Sequence, residues 1–159
     1  MPIPTSLKHK PVIVCDNYEN IDGRKAYSSD AKYLSLGLAQ WNDRGTIDIA
    51  AKIWRHTGEK WSRQSEEMSL NRVLDLAILI IRSQAYFRDA YKFSKLYDEE
   101  QVQIDRIGMQ GDAMNISVCT ENECLDTDIK LFRDALLKDD EIISERCKIL
   151  STLLKEAGY

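Results

Sequence analysis

The chain has 159 residues, of which 43% are hydrophobic and 30% are charged, the size and composition of one globular domain. Its formal net charge of −4 argues against general nucleic-acid binding, because that activity usually needs a positive surface. The longest uninterrupted apolar run, residues 76–81, is far shorter than the ~20 residues that span a bilayer, and the N-terminus lacks a signal-peptide pattern. The sequence therefore predicts a soluble, cytoplasmic single domain over residues 1–159, with a flexible N-terminus at residues 1–10.

The first elements in chain order are predicted to be a strand and a helix. Residues 12–15 are a short β-branched run after Pro11, as expected of a buried strand. A helix capped within residues 28–30 is expected next, because four apolar residues recur at helical spacing: Ala31, Leu34, Leu38 and Trp41.

A two-stranded unit is predicted after this helix. From Ile47 the apolar period changes to two, which places Ile49 and Ile53 on one side of a strand and Lys52 and Trp54 on the other. A turn is expected at residues 57–60, followed by a second, largely polar strand over residues 61–65.

The second half predicts a long helix, a hairpin and two further helices. The long helix is expected over residues 70–96, capped by Ser69, and should run through the core because residues 73–81 are apolar on nearly all sides. Strands at residues 102–107 and 114–119 are expected to be joined by a glycine-containing turn. The inward faces expected for the last two helices are Ile129, Phe132 and Leu136, then Ile143, Cys147, Leu150 and Leu154.

The resulting order, β-α-ββ-α-ββ-αα, predicts an α+β fold in which about four helices cover a mixed, mainly antiparallel sheet. Asp126 or Thr127 is expected to cap the first of the two final helices. Four cysteines are scattered without a Cys-x-x-Cys pair, and the two histidines are far apart in sequence. The pattern therefore predicts reduced thiols, no metal site and no cofactor.

The densest polar and aromatic stretch lies around the turn at residues 57–60. Flat rings beside cationic side chains suit an anionic, planar ligand such as a nucleotide. The residues expected to bind this ligand are Trp54, Arg55, His56, Lys60, Trp61 and Arg63. The alternative is structural, because tryptophans often pack across a hairpin and charges keep an edge strand soluble.

Two further sets of residues are secondary candidates. Asp75 lies on an otherwise apolar helix between Arg72 and Arg82. It is expected either to act as a general base beside Arg72 or to form an i, i+3 ion pair with it. Asp16 follows the first strand, where ligands often bind in open sheets.

Several polar loops are candidates to converge on Asp16. Each pairs Asp with Arg beside a turn, a combination that alone is usually turn chemistry. They are residues 22–24, 42–44 and 105–106, the last together with residues 110–112.

Several blocks of the sequence are similar to an uncharacterised bacterial domain family of comparable length. The blocks cover nearly the whole chain: residues 9–14, 37–44, 54–67, 74–79 and 105–114. The resemblance implies a bacterial cytosolic origin and a stand-alone domain. It implies no activity and assigns no catalytic residue.

Three functions follow from these residues as hypotheses. The first is a non-enzymatic, homo-oligomeric protein that binds an anionic small molecule or a protein partner at the tryptophan-containing stretch. The second is a small hydrolase or transferase for a phosphorylated substrate, with Asp16 or Asp75 as base and Arg72 or Arg106 stabilising charge. The third is single-stranded nucleic-acid binding on Trp54 and Trp61.

Overall fold

The computed structural model describes residues 2–22, 26–62 and 70–159. The described part of the chain contains five strands and three helices. The strands are β1 Lys10–Cys15, β2 Ala31–Leu38, β3 Ile49–Arg55, β4 Gln103–Gly108 and β5 Ala113–Val118, and the helices are α1 Leu70–Asp89, α2 Leu125–Lys138 and α3 Asp140–Glu156. The strands form one antiparallel sheet in the order β3-β2-β1-β5-β4.

The predicted α+β class is confirmed. The sheet is antiparallel throughout its described strands and not mixed, three helices are described in place of the predicted four, and the predicted order is wrong at one element. Residues 31–38 form strand β2 and not a helix. The apolar residues Leu34, Leu36 and Leu38 also alternate with period two, and all three are buried. Trp41, expected to extend the helical face, lies beyond the strand and is 61% exposed. A central position between β1 and β3 supplies backbone partners on both sides, and this pairing overrides the local helical spacing.

The remaining strands confirm the predicted alternation. Ile53 belongs to the main core, whereas its neighbour Trp54 packs in a second cluster on the other side of the sheet. Met114, Ile116 and Val118 of β5 are buried in the main core as well. Of the second strand expected at residues 61–65, only a single bridge between His56 and Trp61 is described, and residues 63–65 lie outside the described residues.

The helices cover one face of the sheet. Leu76 and Leu79 of α1 and Ile129, Phe132 and Leu136 of α2 pack in the main core. Helix α1 ends at Asp89, followed by one 3₁₀ turn, so the predicted continuation to residue 96 is wrong. The prediction that α1 runs through the core is also wrong, because its outer side, including Leu74 and Ile81, is exposed. An all-apolar stretch here marks a helix that lies on the sheet with its outer face uncovered.

The two final helices differ in how far they are buried. The inward residues predicted for α2 are confirmed, although its N-cap is Cys124 and not Asp126 or Thr127. The predicted start of α3 at Asp140 is confirmed, but no residue of α3 is buried. Its expected inward face is therefore largely uncovered.

The opposite face of the sheet is covered in part by the N-terminal segment. Ile3 and His9 are buried there, and Ile3 packs with Val14, Trp54 and Cys119. The expected flexibility of residues 1–10 stays a prediction. No helix of the described residues is long and apolar enough to cross a membrane.

Strands β1 and β2 come unusually close where the N-terminal segment enters the sheet. A side chain at Gly37 would place its Cβ 2.0 Å from the Lys10 carbonyl oxygen. The pairing register also shifts between Pro11 and Ile13. Only glycine at position 37 allows the backbones of β1 and β2 to come this close. The chain that leads into β1, residues 4–9, lies over the outer face of β2 and β3.

Candidate ligand-binding site

The outer face of the sheet holds a hydrogen-bonded group of aromatic and polar side chains. Trp54 is 1% exposed, and its indole Nε1 donates to Ser35 Oγ at 2.7 Å. His9 Nε2 lies 3.1 Å from the same oxygen, and its ring meets the Trp54 ring edge-on at 5.8 Å. Because strand residues alternate in direction, Ser35 of β2 and Trp54 of β3 face the same side. The N-terminal segment brings His9 onto them.

His9 is held in its neutral form. Burial, together with the smaller effect of the positive charge of Lys52, lowers the pKa of His9 from 6.5 to about 4. A neutral imidazole can accept a hydrogen bond at one ring nitrogen, which a charged imidazolium cannot do.

Lys52 is the cation nearest to this group. Its Nζ lies 3.9 Å from the centre of the Trp54 ring, a cation–π contact. The side chain is half-buried and makes no ion pair with any carboxylate of the described residues. Burial consequently lowers the pKa of Lys52. A partly desolvated ammonium group without an acidic partner is suited to receive an anion.

A cavity of about 480 Å³ opens beside Lys52. We call it the N-terminal groove, and its described lining is Pro4, Leu7, Lys8, His9, Gln40, Lys52, Trp61 and Ser62. Two lysines and no carboxylate are present in this described lining. The volume falls within the range of roughly 300–1,000 Å³ that is usual for small-molecule sites.

Trp61 forms one wall of the N-terminal groove. Its ring meets the rings of Trp54, Tyr33 and His56 edge-on, at 6.1, 5.9 and 5.1 Å. The contact between Trp54 and Trp61 is the cross-hairpin packing considered as the structural alternative. Trp61 is less buried than Trp54 and contributes to the groove lining. The two tryptophans thus have different roles, one internal and one at the groove.

Of the other residues expected around the turn, Arg55, His56 and Lys60 are not part of the described groove lining. Arg55 points away from Trp54 and pairs with Asp30 at 2.5 Å, on the side of α1. His56 Nδ1 accepts a hydrogen bond from the Gly58 N–H group at 3.1 Å. Lys60 is exposed. Arg63 lies outside the described residues. Consecutive strand residues face opposite sides, which separates Arg55 from Trp54.

Arg72 and Asp75 belong to a buried polar cluster beneath α1. Arg72 donates to both oxygens of Asp22, at 3.0 and 2.7 Å, and does not pair with Asp75 as expected. Asp75 instead accepts a hydrogen bond from the Tyr18 hydroxyl at 2.6 Å. Helix α1 carries both residues, but the loop after β1 supplies their partners.

The two buried carboxylates of this cluster have opposite pKa shifts. Burial opposes ionisation of Asp22, but hydrogen bonds from Arg72, Ser29 and Asn71 outweigh it and hold the pKa of Asp22 below its usual value. Burial raises the pKa of Asp75, partly offset by the hydrogen bond from Tyr18. Every side chain named here has a partner within the chain, as in a structural polar network.

Asp16 and Arg106 lie at separate places. Asp16 lines a pocket of about 210 Å³ on the outer face, together with Glu121 and Tyr33. Burial, followed by the nearby Glu121 and Asp16 charges, raises the pKa of Tyr33. This pocket is acidic, in contrast to the N-terminal groove. Arg106 is exposed and lies 3.5 Å from Asp112.

The predicted convergence of polar loops occurs only in part. The loop after β1 meets the β4–β5 turn, where Asn20 donates to Asp112 at 3.1 Å. Asp105 pairs with Arg82 of α1 at 2.8 Å. Within residues 42–44, Asn42 bonds instead to Asp48 in its own loop. Among the described residues, no group of three or more His, Cys, Asp or Glu side chains is arranged to hold a metal ion.

Sequence reasoning misses most residues of the N-terminal groove, and also Ser35, the hydrogen-bond partner of Trp54 and His9. Ser35 lies in a segment whose apolar spacing predicts a helix, and this hides its alternation with the leucines of β2. Lys8 and His9 belong to a segment without periodicity, so no pattern indicated that it returns over the sheet. The sequence indicates for Lys52 only a strand position on the same side as Trp54.

The fold and groove define an antiparallel α+β domain with a cationic cleft on the face opposite its helices. The whole chain, residues 1–159, matches the family of unknown function DUF6530, and the protein belongs to that family. Nothing among curated proteins or solved structures matches the chain.

Proposed function

We propose that the protein binds a small anion with a flat apolar part in the N-terminal groove. The observation that carries this proposal is the charge of the groove. Its described lining contains Lys8 and Lys52 and no carboxylate, although the chain as a whole has a net charge of −4. In an acidic protein, a cleft of the opposite sign concentrates anions from solution.

The groove also supports the apolar part of this ligand. Trp61 offers a partly open ring, and Leu7 and Pro4 add apolar surface on the N-terminal side. Burial leaves less water around Lys52 than around an exposed lysine. An ion pair between Lys52 and a carboxylate or phosphate of the ligand is therefore stronger than the same ion pair in bulk water. Aromatic carboxylates and nucleoside monophosphates are the ligand classes that combine both features.

The enzyme hypothesis has weaker support than binding. Asp75 has the raised pKa expected of a general base. However, it is buried, bonded to Tyr18 and does not line the N-terminal groove. Arg72 is committed to Asp22 by two hydrogen bonds. We therefore propose a binding protein and not a hydrolase or transferase.

Nucleic-acid binding also has less support than small-molecule binding. Stacking of bases needs open ring faces, and Trp54 is almost fully buried with Lys52 over its ring. Of the two tryptophans in this hypothesis, Trp61 alone remains to stack on a base. The four cysteines are free thiols, which supports the proposal that binding takes place in a reducing compartment such as the cytoplasm.

A thermal-shift panel followed by calorimetric titration tests the proposed function. The panel contains benzoate, adenosine monophosphate, inorganic phosphate and neutral adenosine. Benzoate or adenosine monophosphate at about 100 times its Kd is expected to stabilise the protein by about 2.7 kcal/mol, a shift of several degrees in Tm. Adenosine lacks the anion and phosphate lacks the ring, so both are expected to shift Tm less.

Lys52→Gln is the variant that locates the site. It removes the half-buried cation and is expected to raise Kd at least tenfold, about 1.4 kcal/mol. Lys130→Gln is the matched control, because Lys130 is an exposed lysine of α2 on the helix-covered side. Equal affinity of the two variants, or no binding by any member of the panel, would contradict the proposal.

A further inference from the structure

Three lysines of the described residues are half-buried, and Lys52 differs from the other two in its partner. Lys10 donates to a backbone carbonyl oxygen of the N-terminal segment at 3.2 Å, and Lys32 pairs with the carboxylate of Glu19. The Lys52 amine lies 3.9 Å from the centre of the Trp54 ring and forms no ion pair with a described carboxylate. Its charged form therefore receives less support than that of the other two lysines.

The surroundings of Lys52 favour a reactive amine. A lysine is a nucleophile only in its neutral form, and burial lowers the pKa of Lys52. At neutral pH a larger fraction of this amine is thus uncharged than of an exposed lysine amine. An N–H group of the neutral amine can still point at the face of the Trp54 ring, which leaves the nitrogen lone pair available on the other side. The ring thereby holds the amine at the wall of the N-terminal groove.

The anion site of the groove indicates where a reacting group of the ligand would lie. In the proposed function, the carboxylate of an aromatic ligand lies beside Lys52. A carbonyl group on the neighbouring carbon of that ligand is then within reach of the same nitrogen, and this is the arrangement in a 2-oxo acid. Lys8, the exposed second lysine of the described lining, can hold the carboxylate while Lys52 reacts.

We propose that Lys52 forms an imine with an aromatic 2-oxo acid in the N-terminal groove, an activity that rests on the anion binding of the proposed function. The Lys52 nitrogen forms a double bond to the carbonyl carbon, and the carbon–oxygen double bond breaks. Both hydrogens of the neutral amine end on that oxygen, which leaves as water, so no oxidant or reductant is consumed. The imine nitrogen then takes one proton from solvent, and its positive charge pairs with the ligand carboxylate.

Reductive trapping measures imine formation, with phenylpyruvate as the 2-oxo acid and sodium cyanoborohydride as the reductant. Reduction converts the imine into a stable secondary amine, which is located by mass spectrometry and blocks trypsin cleavage after residue 52. With phenylpyruvate limiting, the adduct is expected roughly tenfold or more often at Lys52 than at Lys130, an exposed lysine of α2. Both lysines belong to the same folded molecule, so this ratio does not depend on the folding of a variant. Equal yields at the two lysines would overturn the proposal.

Lys52→Arg provides a second test, because it keeps a positive charge but removes the nucleophilic amine. The variant is expected to lose most of the adduct that forms on the whole protein, and to bind phenyllactate more tightly than Lys52→Gln does. An unchanged total yield of adduct would place the reaction at other amines and overturn the proposal.

Phenyllactate separates imine formation from the proposed function. It keeps the ring and the carboxylate of phenylpyruvate but carries a hydroxyl in place of the carbonyl group. Calorimetric titration is expected to show that it binds the wild type, although it forms no adduct. Binding of phenyllactate without a phenylpyruvate adduct on Lys52 would overturn imine formation alone. Absence of binding by both acids, together with absence of an adduct, would overturn the proposed function as well.

Discussion

At the scale of single residues, His9 couples the N-terminal segment to pH. Its pKa is about 4 in the folded protein, against 6.5 in the unfolded chain. Below pH 6.5 the unfolded chain therefore binds the extra proton more readily, so stability is lost as pH falls from 6.5 to about 4. Above pH 6.5 both states are neutral at this residue and the effect is absent.

His9→Gln tests this coupling, because glutamine keeps a hydrogen-bonding group near Ser35 but does not titrate. Over the interval from pH 6.5 to 4, His9 is expected to cost the wild type roughly 3 kcal/mol of unfolding free energy. Urea denaturation at several pH values is expected to show a shallower loss for His9→Gln than for the wild type. If the free energies of unfolding of the two proteins fall in parallel as pH is lowered, His9 is exposed to solvent or charged in the folded protein, which would contradict this coupling.

At the scale of elements, β2 shows why one strand was misassigned. Leu34 and Leu38 are four residues apart, which fits a helix, and Leu36 between them fits a strand. The strands that pair with β2 make residues 31–38 a strand and not a helix. These partners, residues 10–15 and 49–55, are separate segments of the sequence, so local spacing does not reveal them. Strands β3 and β5 were predictable because their alternation has no helical counterpart.

Gly37→Ala tests the close approach of β1 and β2. The new Cβ would lie 2.0 Å from the Lys10 carbonyl oxygen, which is backbone and can move only by disturbing the strand pair. The free energy of unfolding is expected to fall by about 2 kcal/mol or more. Chemical denaturation provides the measurement.

Gly108→Ala is the matched control at the end of β4, because its Cβ would meet no atom within 4 Å. Its effect is expected to stay within about 0.5 kcal/mol. If both substitutions have the same small effect, β1 and β2 are not in the close contact described.

The N-terminal groove was less predictable than the sheet. Contact between Trp54 and Trp61 follows from their positions on either side of a short turn. The position of Lys8 and His9 over β3 depends on contacts made by Ile3 and Leu7 with the outer face of the sheet. Such contacts are long-range and leave no period in the sequence of residues 2–9.

At the scale of the whole molecule, the two faces of the sheet have different roles. The helices α1 and α2 pack on one face and build the main core. The N-terminal groove lies on the outer face, where ligand binding would leave that core undisturbed.

The most direct test of the central claim uses the three tryptophans as reporters. In ¹H–¹⁵N spectra each indole gives one resonance, and benzoate or adenosine monophosphate, whichever raises Tm, is titrated into the protein. The Trp54 and Trp61 resonances are expected to shift, because one ring lies under Lys52 and the other lines the groove. Trp41 follows the lining residue Gln40 but is not itself part of the described lining, and its indole is bonded to Asp48, so its resonance is expected to shift less than the other two. Saturable binding that shifts Trp41 alone, or none of the three, would contradict a ligand in the N-terminal groove.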